Sequence, residues 1–260
     1  MFKFFDIVGL YFIGILNLIG DFTFFAIRVF YILFSTRLNK AQLLIQMRKI
    51  GFDSFFITLI TSISSGFALA LQTYIGLSKF GAQDILGIVV SVGITRELAP
   101  VLTGLMVTGR AGSAMAAELG TMQISEQIDA LKTLCIDPYN YLIVPRVLAF
   151  SFVLPMLTIV SIVSGIFGGF IYSNNVLELS GEIYFTGISN NLKFLDIFGG
   201  LLKSFVFGIL VSLVSSYIGY HTTGGAKGVG DSTTSAVVYS SIMILISNYF
   251  VSAFLFKVNL

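Results

Sequence analysis

Residues 54–77 run from Ser54 to Leu77 without a charged side chain. A segment of this kind meets the length of about 20 apolar residues that a helix needs to cross the hydrocarbon of a bilayer. Inside hydrocarbon every backbone N–H and C=O must find a partner within the protein, so an isolated apolar run there is a helix. Four further runs follow, at 85–109, 147–172, 197–220 and 235–256. The whole chain is only 11% charged, is 56% hydrophobic, and has a mean hydropathy of +0.93. Soluble domains carry about a quarter charged residues. The fold class is therefore an all-α integral membrane protein with five transmembrane helices.

The first 50 residues differ. The apolar stretch 5–34 is interrupted by Asn17, Asp21 and Arg28, which leaves no clean piece of spanning length. We read it as an N-terminal helix lying in the membrane interface, with a sixth span as the other possibility. Lys3 precedes an apolar run but no A-x-A-like cleavage site follows, so this segment reads as retained structure. Residues 35–53 are polar and basic, residues 54–256 form the five-span core, and together 1–260 read as one domain. The segments 110–146, 173–196 and 221–234 read as loops outside the hydrocarbon, the last a flexible run of turn formers. With 35–53 inside, the inner segments hold Arg37, Lys40, Arg48, Lys49, Arg110, Lys132, Arg146 and Lys227, and the outer ones hold Lys79, Lys193 and Lys257. This bias puts the N-terminus in the cytoplasm and the C-terminus outside. Glu178, Glu182 and Asp196 fall in the outer loop at 173–196.

Few residues could carry chemistry. Arg96 and Glu97 fall near the middle of a span, where ionisable groups face a partner or a water-filled cavity. Neighbours on a helix point about 100° apart, so each needs its own partner. They either clamp helices together or line a path. Pro100 follows and predicts a kink. Lys203 lies in the fourth span, where it snorkels to the outer surface or meets an anionic headgroup. Gly109/Ser113, Gly112/Ala116 and Ala116/Gly120 have the small-xxx-small spacing of closely packed helices. Arg110 and Glu118 are placed to pair across a bend. Over 121–137, Ile124, Ile128, Leu131 and Cys135 share one helical face and Glu126, Asp129 and Thr133 the opposite one. That predicts a surface helix ending before Pro138.

Other chemistry is poorly provided for. The single histidine, His221, and single cysteine, Cys135, make no metal constellation, and one cysteine cannot form an internal disulfide. The glycines at 224–230 lack P-loop spacing, so no nucleotide-hydrolysing site is legible. A nucleophilic Ser113 would lack a placed base. A net charge of +2 without a basic block argues against nucleic acid.

The ordered set Arg96-Glu97-Leu98-Ala99-Pro100-Val101, Gly109-Arg110-Ala111-Gly112-Ser113-Ala114, Ala117-Glu118, Gly120, Met122, Glu126-Gln127 and Ile136-Asp137-Pro138 resembles the MlaE/YrbE family of permeases. Leu71-Gln72, Tyr74, Pro145-Arg146, Pro155, Gly165, Gly168-Gly169 and Lys203-Ser204 extend the likeness over roughly residues 50–256. Asp231 and Ser235 stand where family members carry basic residues. The resemblance implies the permease subunit of an ABC transporter that moves phospholipids between the bacterial inner membrane and periplasmic MCE-domain proteins. It implies a homodimer, two ATP-binding subunits on the cytoplasmic face, an MCE ring on the periplasmic face and a small STAS-domain accessory protein. ATP and magnesium would belong to the partner ATPase, with no cofactor on this chain. The helix over 121–136, with Ile124, Glu126, Gln127, Ile128, Asp129 and Leu131, would be the coupling helix. Leu71, Tyr74, Ile75 and Tyr249 would line a lipid cavity between protomers. The competing reading is an autonomous channel or secondary carrier working through Arg96, Glu97 and Lys203.

Overall fold

The computed structural model describes residues 2–36, 39–177 and 179–258; Arg37, Glu178 and the Lys3 side chain lie outside what is described. The chain is an all-α integral membrane protein, with no strand among the described residues. We number its helices α1 (Phe2–Ser35), α2 (Lys40–Ser78), α3 (Gln83–Ile124), α4 (Gln127–Thr133), α5 (Tyr139–Asn175), α6 (Gly181–Asn191), α7 (Phe194–Tyr220) and α8 (Gly225–Val258). Six of them are long and apolar enough to cross a membrane. The bundle has two ends. One carries α4, the last residues of α1 and the α7–α8 turn, and the other carries α6.

The closest seam joins α2 to α5. Ile50, Ser54, Thr58, Ser62, Gly66 and Ala70 recur every four residues on α2 and are all buried. A Cβ at Gly66 would lie 2.0 Å from the Gly165 carbonyl oxygen, and one at Gly168 2.6 Å from that of Ile63. Only glycine lets the two backbones touch, which is how helices gain packing where lipid competes for every apolar side chain. Ser62 and Ser161 share a hydrogen bond of 2.6 Å across the seam. One apolar cluster, around Phe150, Leu119, Ile143 and Phe207, fills the bundle towards α4; a second, around Leu86, Val90, Ile94 and Tyr184, fills it towards α6.

The second half of α1 packs at the α4 end of the bundle. Phe22 packs on Tyr217, and Phe25 on Tyr139, Tyr217, Tyr220 and His221. The Arg28 guanidinium sits 4.2 Å over the Tyr139 ring, and Thr36 donates to Asn140 at 2.9 Å. Residues 22 to 36 cover about 21 Å of helix axis. The contacts just named fall in one layer, formed by the first residues of α5, the last turn of α7 and His221. Leu16–Ser35 of α1 is itself one of the six segments long and apolar enough to cross a membrane, where the sequence reading found no piece of spanning length.

Three expectations for the loops need correction. Residues 110–124 do not leave the bundle: α3 continues through them to Ile124, and Met115, Ala116, Leu119 and Gly120 are buried there. Their charges are neutralised inside the protein, so they do not mark an exit to water. Residues 181–191 form α6, anchored by Tyr184, whose hydroxyl donates to the Ile166 carbonyl at 3.2 Å and whose pKa burial pushes up. Residues 225–234 are the first turns of α8, because Gly224 (φ +89°) and Gly225 (φ +68°) complete the turn alone.

Candidate functional site

Pro100 organises the site. It has no N–H to offer the carbonyl four residues back, that of Arg96. Lys203 Nζ of α7 donates to that carbonyl at 2.8 Å. The preceding residues, Ile94–Leu98, form a π-helical turn, an irregularity common at functional sites. The helix does not break there; it loosens by one residue and continues.

The π turn aims Arg96 and Glu97 at different partners. Arg96 Nε donates to Asp196 Oδ1 at 2.7 Å, and the Lys193 backbone N–H donates to Asp196 Oδ2 at 3.0 Å. Glu97 Oε1 accepts from Lys203 Nζ at 2.6 Å and from Ser252 at 3.2 Å, while Oε2 accepts from Asn248 at 3.0 Å. Asp196 and Lys203 lie two turns apart on one face of α7. Between them a Cβ at Gly200 would lie 2.4 Å from the Thr95 carbonyl oxygen. The missing side chain is what lets α7 approach the π turn. Lys203 is 3% exposed, so it does not snorkel; its ammonium is held by Glu97 and the freed carbonyl.

These groups surround a cavity of about 700 Å³ lined by Arg96, Glu97, Lys193, Leu195, Asp196, Lys203, Tyr249, Ser252 and neighbouring small residues. It lies between α3, α7 and α8, towards the α6 end. Of the four residues expected to line a lipid cavity between protomers, Tyr249 borders this cavity, Leu71 and Ile75 are exposed on α2, and Tyr74 packs on the second core cluster. The sequence reading missed Asp196 as a partner, because it fell in a presumed loop, and missed Asn248 and Ser252, ordinary polar residues of a span.

A second charged cluster lies on α3 nearer α4, at another π turn, Thr108–Gly112. Arg110 Nη2 is 2.9 Å from Asp53 Oδ2, and Nη1 donates to Ser54 at 3.1 Å. Glu118 pairs with Lys49 and accepts from Arg146 at 3.2 Å. Arg110 and Glu118 thus reach α2 and α5 rather than each other. The cleft among them holds about 40 Å³.

The small residues of α3 divide by face. A Cβ at Gly112 would meet Ser215 at 3.1 Å and one at Gly120 Thr222 at 2.9 Å, and Ala116 touches Gly219, so Gly112 and Ala116 pack against α7 and Gly120 against the turn that follows it. Gly109 is exposed with nothing near it, and Ser113 Oγ donates to its own helix at the Gly109 carbonyl, 2.6 Å away. The helix expected over 121–136 is shorter. Glu126 (φ 58°) and Cys135 (φ 58°) are left-handed, and α4 lies between them. Ile124 therefore ends α3. Ile128 is fully buried and Leu131 partly so, while Glu126, Gln127 and Asp129 face out. Lys132 donates to Asp129 at 2.7 Å, which raises the pKa of its ammonium.

Comparison with known proteins gives a consistent result. Residues 43–254 match the family described as Permease MlaE. The chain is 42% identical over 253 residues to a probable ABC transporter permease protein of Rickettsia typhi, covering 97% of this chain and 98% of that one. It is 43% identical over 230 residues to a probable ABC transporter permease protein of Synechocystis, covering 88% of each. To the intermembrane phospholipid transport system permease protein MlaE of Haemophilus influenzae it is 32% identical over 237 residues, covering 88% of this chain and 91% of that one.

Proposed function

The chain belongs to the MlaE permease family, and on that premise we propose that it is the permease subunit of an ABC transporter that moves phospholipids between the bacterial inner membrane and periplasmic MCE-domain proteins. The observation that carries this reading is the cavity of about 700 Å³, where Arg96, Lys193 and Lys203 share a lining with Leu195, Tyr249, Ala253 and Leu255. Its volume falls in the range of ligand sites. A headgroup phosphate has cations to meet, and the acyl chains have apolar wall. Leu71, Tyr74 and Ile75 extend an apolar track on α2 that a second copy of the chain would enclose, making the working unit a homodimer.

Residues 1–260 act as one permease domain without a cofactor of their own. ATP and magnesium belong to two separate ATPase subunits, which dock on α4 and the end of α3. An MCE ring meets the α6 end, and a small STAS-domain protein joins on the ATPase side. The excess of Lys and Arg at the α4 end supports a cytoplasmic position for that end and the N-terminus, with the C-terminus in the periplasm.

Reconstitution tests this. Liposomes holding the chain with its ATPase subunits should transfer a fluorescent phospholipid to an MCE acceptor only when ATP is present. Glu126→Ala with Asp129→Ala should weaken ATPase co-purification. Gradient-driven transport by the chain alone would overturn the proposal in favour of an autonomous carrier.

A further inference from the structure

We infer that the cavity selects a phospholipid headgroup of net negative charge, and that Lys193 sets this preference. The inference rests on the phospholipid reading above and goes on to the headgroup. The lining holds three cations, Arg96, Lys193 and Lys203, against two carboxylates, Glu97 and Asp196. Both carboxylates are engaged. Glu97 accepts from Lys203, Asn248 and Ser252. Asp196, only 6% exposed, accepts from Arg96 and from the Lys193 backbone N–H. Two of the three cations are thereby balanced. Lys193 is exposed, lines the cavity, and forms no ion pair among the described residues.

A phosphate entering the cavity meets Lys193 and the outer edge of Arg96, whose Nε edge is turned to Asp196. A headgroup ammonium fares worse. It would be a fourth cation, and both carboxylates already hold a cation at hydrogen-bond distance. A neutral polar headgroup, such as glycerol, adds no such repulsion. The cavity therefore distinguishes an anionic phospholipid from a zwitterionic one through the amine, not through the phosphate that both share.

The test uses the full chain with its ATPase subunits in nanodiscs of equal phosphatidylethanolamine and phosphatidylglycerol, with retained lipid measured by native mass spectrometry. Retained phosphatidylglycerol should exceed its share of the disc by about fivefold, the size of one partly solvated ion pair. Lys193→Gln should return the ratio to about one, and Lys193→Glu should favour phosphatidylethanolamine. No enrichment in the unmodified protein, or enrichment that survives both substitutions, would overturn the inference while leaving the phospholipid reading intact. Absence of both lipids would overturn the phospholipid reading itself.

Discussion

α3 carries two charged clusters, each at a π-helical turn, and they are built to opposite ends. At Ile94–Leu98 the ion pairs border about 700 Å³ of open space; at Thr108–Gly112 they border about 40 Å³. The charges are alike in kind, and the difference lies in what surrounds them. Phe150, Ile50 and Met115 fill the space around Arg110 and Glu118, whereas Gly199, Gly200, Ser252 and Ala253 leave it empty around Arg96 and Glu97. Ion pairs in a membrane protein are thus not in themselves a sign of a path. The packing beside them decides whether they clamp or bind.

Breaking the closed cluster should have the largest effect. Arg146 is buried, its Nε and Nη1 have no hydrogen-bond partner, and Glu118 is its only carboxylate among the described residues. Glu118→Ala strands that charge and should cost about 3 kcal/mol, the range for removing one partner of a buried pair; thermal melting in detergent reads it. A wild-type melting temperature would mean that the cluster is not a clamp.

Next comes Gly200→Val. Its side chain would meet the Thr95 carbonyl, push α7 off the π turn and draw Lys203 from Glu97, at about 2 kcal/mol for an overpacked contact. Melting should fall and lipid retention with it.

The open cluster is sharpened by replacing its pair together. Glu97→Leu with Lys203→Met removes both charges, a change that is often neutral for stability. The variant should lose only about 1 kcal/mol of stability, for the Arg96 carbonyl left without its donor, yet lose about a hundredfold in ATP-driven transfer, equivalent to about 2.8 kcal/mol. Equal losses in both would make the pair a clamp like its counterpart. Smallest of all, Lys132→Ala removes an exposed pair with Asp129. It should shift stability by less than about 0.5 kcal/mol, so any larger change in ATPase binding by pull-down would reflect docking.

The sequence made the spans legible because hydrocarbon tolerates so few patterns. It also flagged Arg96, Glu97 and Lys203, since charge is conspicuous in an apolar run. It could not pair them. Asp196 is a hundred residues from Arg96, and no local spacing announces that contact. The same sensitivity to charge misled at 110–124, where Arg110 and Glu118 suggested water although Asp53, Lys49 and Arg146 answer them inside the fold. The face from Ile124 to Cys135 was read as one helix because side-chain periodicity says nothing about a left-handed residue such as Glu126. Leu71 and Ile75 were singled out by the resemblance, not by anything in their own apolar character.

α3 runs unbroken from Gln83 to Ile124. The distance along it from Ile124, beside α4, to Glu97, in the cavity, is about 40 Å at the rise of a helix. It is therefore a lever with its load at one end and its handle at the other. A tilt of about 5° applied at the handle swings the load by about 3.5 Å over that length, more than the reach of a hydrogen bond. A tilt of that size would be enough to part Glu97 from Lys203, Asn248 and Ser252 together.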